Sequence, residues 1–132
     1  MNIVTLAVSF IFAAFGLYTI AVWSERFAGR LEFWHLGVFW LGFAADTVGT
    51  SAMYEIAQTM RIERSAAMLI HGGTGLLALV LMLVHCSWAT IVLLRKNEKA
   101  ILRFHEFSLA VWCVWLIPFL LGGAMEATRG MH

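Results

Sequence analysis

Charged residues fall in three short clusters, and between them the chain is almost continuously apolar. Residues 1–24 contain no Asp, Glu, Lys or Arg. Glu25, Arg26, Arg30 and Glu32 form the first polar cluster, and residues 33–54 are then apolar except for His35 and Asp46. Glu55, Arg61, Glu63 and Arg64 form the second, followed by residues 65–94, which are uncharged apart from histidines. Arg95, Lys96, Glu98, Lys99 and Arg103 form the third, and residues 107–125 are again uncharged. Each run is close to or above the ~20 residues that cross a hydrocarbon core. Within lipid a backbone must satisfy its own hydrogen bonds, so such runs are helices. The pattern predicts four transmembrane helices at about 3–23, 34–54, 67–94 and 104–124. Short connections make successive helices antiparallel neighbours. The expected fold is all-α: a single-domain, up-down-up-down four-helix transmembrane bundle with both termini on one side.

Composition strengthens this reading. Of 132 residues, 61% are hydrophobic and 13% charged, against ~45–50% and ~25% in soluble domains. A chain this short cannot hide so much apolar surface in one small core, which excludes an ordinary soluble enzyme. A net charge of +1 leaves no basic footprint for a nucleic acid. Cys86 and Cys113 lie in apolar runs without a CxxC, and both read as buried structural thiols. The N-terminal run lacks the positive flank of a signal peptide and reads as a retained span. Arg26, Arg30, Arg95, Lys96, Lys99 and Arg103 share one side, against Arg61, Arg64 and Arg129 on the other. This bias places the first and third connections in the cytoplasm and the termini outside. Trp23, Trp34 and Trp88 fall near the cytoplasmic boundary as interfacial anchors. Gly42, Gly49, Gly72, Gly75, Gly122 and Gly123 permit close helix contact or leave room for a flat group. Pro118 is a candidate kink.

Ionisable groups at membrane depth are costly and mark function by default. Here they are His35, Asp46, His71, His85 and His105. His71 and His85 are fourteen residues apart, so they share one helix face at a separation of ~21 Å along the axis. Gly75, Ala78 and Met82 lie between them on that face. This spacing suits two haems, one toward each membrane surface. By depth, His35 and His105 lie ~13 Å and His85 ~6 Å toward the cytoplasm, so any two of the three are candidates for a bis-histidine pair. His71 lies ~15 Å outward, where Met53, at ~13 Å on the second helix, is its depth-matched partner. A thioether is an acceptable haem ligand opposite histidine. Two stripes support the arrangement: His35, Phe39, Gly42, Asp46, Gly49 and Met53 on the second helix, and His105, Leu109, Trp112, Leu116, Phe119 and Gly123 on the fourth.

The spacing from His71 to His85 resembles the paired-histidine helices of membrane b-type dihaem cytochromes. That resemblance implies haem b, one or two groups, held by axial histidines on facing helices. The stretches "HGGTGLLALVLMLVHCSWA", "FWHLGVFWLGFAADTVGTSAM" and "FHEFSLAVWCVWLIPFLLGG" are similar to a family of small four-span membrane proteins of bacteria and archaea, the HsmA-like group. That likeness implies the four-span topology and a place in the cytoplasmic membrane, and it carries no function.

Each residue also has a structural reading. His35 and His105 stand beside aromatics as boundary residues would, and His71 adjoins a glycine cluster that suits a hydrogen bond across a helix contact. Asp46 reads as a proton relay, as a partner fixing a histidine tautomer, or as a neutral carboxyl bonded to Thr47, Thr50 or Thr74. Tyr18, on a first helix without histidine, reads as an interface anchor. The leading expectation is an electron carrier that binds haem through His35, His71, His85 and His105 and exchanges electrons with quinone or a redox partner protein. The alternatives are a metal or proton transporter, whose metal ligands would include Met53, Met82 or Cys86, and a non-catalytic accessory subunit, alone or as a homo-oligomer.

Overall fold

The computed structural model describes residues 2–59 and 66–130. Four helices follow one another: α1 Ile3–Ala28, α2 Phe33–Thr59, α3 Ala66–Leu94 and α4 Glu98–Gly130. Each is longer than its apolar run or close to it. Charged residues mark where the apolar stretch ends, whereas helices end where their caps lie. Asn2 caps α1 by accepting the Thr5 N–H at 2.8 Å. Gly29 closes the same helix in the left-handed region, φ 74°, a conformation that glycine adopts without steric cost. Asn97 caps α4 through the Ala100 N–H at 3.3 Å, so α4 begins well before the predicted position 104 and takes Lys99 and Arg103 into the helix. Glu25 and Arg26, expected in a connection, lie within α1. Arg61 and Arg64, counted for the orientation, lie outside the described residues.

Helices α1, α3 and α4 are long and apolar enough to cross a membrane, over Ile3–Ala28, Leu69–Leu94 and Glu98–Ala124. Helix α2 has 27 residues, a bilayer's length, but its apolar character is diluted by His35, Asp46 and its glycines and threonines.

Among the described residues α1 packs on α2 and α4, and α3 packs on the same two, so the helices form a closed ring. The α1–α2 contact is the most extensive. Buried positions recur at alternating steps of three and four. They are Ala14, Tyr18, Ala21 and Glu25 on α1; His35, Phe39, Gly42, Asp46 and Gly49 on α2; Ala78, Met82, His85, Ala89 and Val92 on α3; and Ile101, Phe104, Ser108, Val111, Trp115 and Pro118 on α4. This period of 3.5 is the seam of a left-handed bundle. The opposite faces expose large apolar side chains such as Phe12, Ile20, Leu77, Val84 and Leu120, as a lipid-facing surface would.

The inward stripe of α4 is one residue off the expected one. His105, Leu109, Trp112, Leu116 and Phe119 are half-buried, and Gly123 is exposed. In a chain that is apolar all round, hydrophobicity does not single out the face that meets other helices. His105 therefore marks a stripe one residue away from the inward one, which contains Ser108. Cys86 is buried as expected, but Cys113 is exposed on the outer face of α4.

Candidate functional site

Two hydrogen-bonded clusters occupy the bundle interior. The first is built on Asp46, which is 3% exposed. The Tyr18 hydroxyl of α1 and the Trp115 Nε1–H of α4 both donate to Asp46 Oδ2 at 3.0 Å. Thr50, one turn along α2, donates to Oδ1 at 3.3 Å. The Asp46–Trp115 bond joins the diagonal helices α2 and α4, so this carboxyl lies near the bundle axis. Tyr18 and Trp115 also meet edge to face, with centroids 5.3 Å apart. Tyr18, read from the sequence as an interface anchor, is fully buried. Asp46 is not bonded to a histidine. Of the three threonines considered as partners only Thr50 binds it, because the Thr47 and Thr74 hydroxyls turn back to the Phe43 and Ile70 carbonyls.

The second cluster lies two turns away. Ser108 of α4 donates to Glu25 Oε1 of α1 at 2.6 Å, and its oxygen is 2.8 Å from His85 Nε2 of α3. All three residues are 0% exposed. Phe39 of α2 stands edge-on to the His85 ring at 4.4 Å, with Phe104 at 5.0 Å and Phe107 at 5.6 Å. Glu25 was missed because it heads a charged cluster. Its signal was its register: it continues the spacing of Ala14, Tyr18 and Ala21 along the inward face of α1.

The remaining histidines lie outside these clusters. His35 Nδ1 accepts the Glu32 N–H at 3.0 Å. Glu32 is the residue before α2, so His35 fills the role of the third-position side chain in a capping box. The acceptor at Nδ1 leaves the proton on Nε2. His35 and Phe39 are one turn apart on α2, which brings His35 to the same end of the bundle as His85. The His71 ring lies against α4, where a Cβ added to Gly122 would be 2.9 Å from its Cε1. Met53, its expected partner on α2, is half-buried. His105 is half-buried, one position off the inward stripe.

Haem ligation requires a bare ring nitrogen and a slot for the macrocycle. Buried nitrogens without a partner exist on all four histidines: His35 Nε2, His71 Nδ1, His85 Nδ1 and His105 Nδ1. The slot does not. Inside the bundle the small-residue gaps are occupied, with Tyr18 over Gly42, Ile11 over Gly49, His71 over Gly122 and Pro118 opposite Gly75, while Gly72 and Gly123 are open but lie on exposed positions. Met82, between the two histidines of α3, is fully buried. In addition, His35 Nε2 carries a proton and His85 Nε2 is engaged with Ser108. The residues as packed therefore do not fit a haem. Among the described residues no three His, Cys, Asp or Glu side chains converge as a metal cage requires.

What the arrangement provides is two carboxyls held away from water, each tied to hydroxyl, indole or imidazole groups that can exchange or hold protons. Comparison with protein families, curated proteins and solved structures finds no match to the chain. Its class is therefore defined by its own architecture: an all-α four-helix bundle, apolar outside, with a polar axis.

Proposed function

We propose that the protein is an integral membrane bundle that moves protons through the bilayer. One observation carries this reading: both buried carboxyls, Asp46 and Glu25, belong to hydrogen-bonded chains that each join three helices. A lone carboxylate at membrane depth costs several kcal/mol. A purely structural core would avoid two of them, since apolar residues of similar volume pack at least as well. The reading takes α2 as a fourth span, its polar stripe shielded by the other three helices. It takes the topology as up-down-up-down with both termini on the outer side. In support, early α1 meets late α4 at Phe12 and Phe119, late α1 meets early α4 at Glu25 and Ser108, and early α2 meets late α3 at Trp40 and Thr90.

A second reading is the electron carrier, with haem b on the histidines and quinone or a redox protein as its partner. The unpartnered ring nitrogens favour it, and it requires the helices to part from the packing described above.

One preparation tests both. Purified protein is reconstituted into liposomes that hold an internal pH dye, and a potassium diffusion potential drives protons inward. Wild-type vesicles should acidify faster than empty ones, and Asp46→Asn should abolish the difference. Wild-type vesicles indistinguishable from empty ones would overturn the proton reading. The same sample is scanned before and after dithionite. A Soret band and a reduced α-band that are lost in His85→Ala support the electron carrier, and a protein that stays colourless on haemin addition removes it.

A further inference from the structure

The Glu25–Ser108–His85 chain has a property that the Asp46 cluster lacks: an unpartnered atom at each end. Glu25 Oε2 and His85 Nδ1 are buried and have no hydrogen-bond partner, while the inner atoms of the chain are 2.6 Å and 2.8 Å apart. A structural tie would leave neither end bare, because an unsatisfied buried polar atom costs ~1–3 kcal/mol. The order of groups is also informative. In a hydrolytic triad the imidazole is central and the hydroxyl terminal. Here the hydroxyl is central, where it accepts on one side and donates on the other.

The geometry points to a proton relay in which the Ser108 hydroxyl carries a proton between Glu25 and His85. The inference rests on the proton-moving reading and names the path of its inner half. When Glu25 carries a proton on Oε1 and His85 carries its one proton on Nδ1, the Ser108 hydroxyl turns from Glu25 to His85 Nε2, the Oε1–H bond breaks and the proton joins Ser108 Oγ. The Ser108 O–H bond breaks in the same event, and its proton joins His85 Nε2. Glu25 becomes a carboxylate, Ser108 is a hydroxyl again, and His85 carries protons on both nitrogens. No electrons change hands and net charge is conserved. Glu25 Oε2 is the entry, one turn from the end of α1. His85 Nδ1 is the exit.

Tyr18 and Trp115 each lie seven residues from Glu25 and Ser108 on the same two helix faces, so Asp46 is ~10 Å further along the axis. The buried Ala21, Met82 and Val111 lie between the two clusters on the inward faces of α1, α3 and α4. They interpose an apolar layer of the kind that gates by excluding water.

The test reads the histidine itself. Protein labelled with ¹⁵N-histidine is placed in lipid bilayers, and the protonation of the His85 nitrogens is followed by NMR. Glu25→Gln should shift the His85 signals when Ser108 is present and leave them unmoved in the Ser108→Ala background. Ser108→Thr, which keeps the hydroxyl, should preserve the coupling. In liposomes, Ser108→Ala should cut flux by about a hundredfold, the scale of a positioned proton transfer, and Ser108→Thr should restore most of it. If Glu25→Gln leaves His85 unchanged, the relay is wrong, whatever the flux. If coupling is seen but wild-type vesicles do not conduct, the relay stands and the transport reading falls.

Discussion

Asp46 keeps its place at the bundle axis because three donors on three different residues reach it. Tyr18 is the donor whose loss is cleanest to read. Tyr18→Phe keeps the ring, its edge-to-face contact with Trp115 and the packing over Gly42, and removes only the hydroxyl. Asp46 Oδ2 then loses one of its two donors and keeps Trp115, a net cost of ~0.5–1.5 kcal/mol. The expected outcome is a lower melting temperature in detergent, with helix content by circular dichroism unchanged. An unaltered melting curve would show that the hydroxyl contributes nothing net. His35 illustrates the same economy of local chemistry. Its Nδ1 closes the open end of α2 by accepting the Glu32 N–H, a task that follows from its position three residues past the cap.

Glycines act at the scale of helix pairs. A Cβ on Gly42 would stand 2.8 Å from the Tyr18 ring carbons, and one on Gly49 would stand 2.8 Å from Ile11. Both lie on the inward face of α2, and together they let α1 approach closely enough for the Tyr18 hydroxyl to reach Asp46. Gly16, in contrast, has nothing within 4 Å. Gly42→Ala should therefore destabilise the bundle by ~1–3 kcal/mol through overpacking, and Gly16→Ala should be neutral or mildly stabilising because alanine is the better helix former. Paired thermal melts check this, and equal effects of the two substitutions would refute the close-packing account. The Tyr18 ring is fully buried and held by its hydrogen bond, so the strain at Gly42 falls on the helix separation.

At the scale of the whole molecule, the bundle inverts the usual soluble arrangement: its outer faces are apolar and its axis carries the ionisable groups. The exposed pair Arg30 and Glu98, 2.8 Å apart, ties the first connection to the start of α4 at one end. Topology is checked by single cysteines introduced at Lys99, beside that end, and at Gln58, near the end of α2. In intact cells a membrane-impermeant maleimide should label Gln58→Cys, and Lys99→Cys only after permeabilisation. Labelling of both from one side would contradict the four-span arrangement.

The four helices were legible from charge spacing alone, and three of them are long and apolar enough to cross a membrane, because ~20 apolar residues between charged clusters match the length of a spanning helix. The inward face of α2 could also be read, since His35, Gly42, Asp46 and Gly49 are too polar or too small to be lipid-facing by chance. The face of α4 could not. Ser108 is a weak marker in an apolar helix, and His105 one turn earlier is a strong but misleading one. Glu25 was hidden for the opposite reason: adjacency to Arg26 made it look solvated, although its heptad register placed it inside. Which polar groups meet is set by helix approach and by rotation about each axis, to within a fraction of a turn. Those quantities arise from packing among four helices at once. Tertiary structure alone therefore decided that Asp46 binds Tyr18 and Trp115 rather than a histidine, and that His85 faces a serine and a buried glutamate.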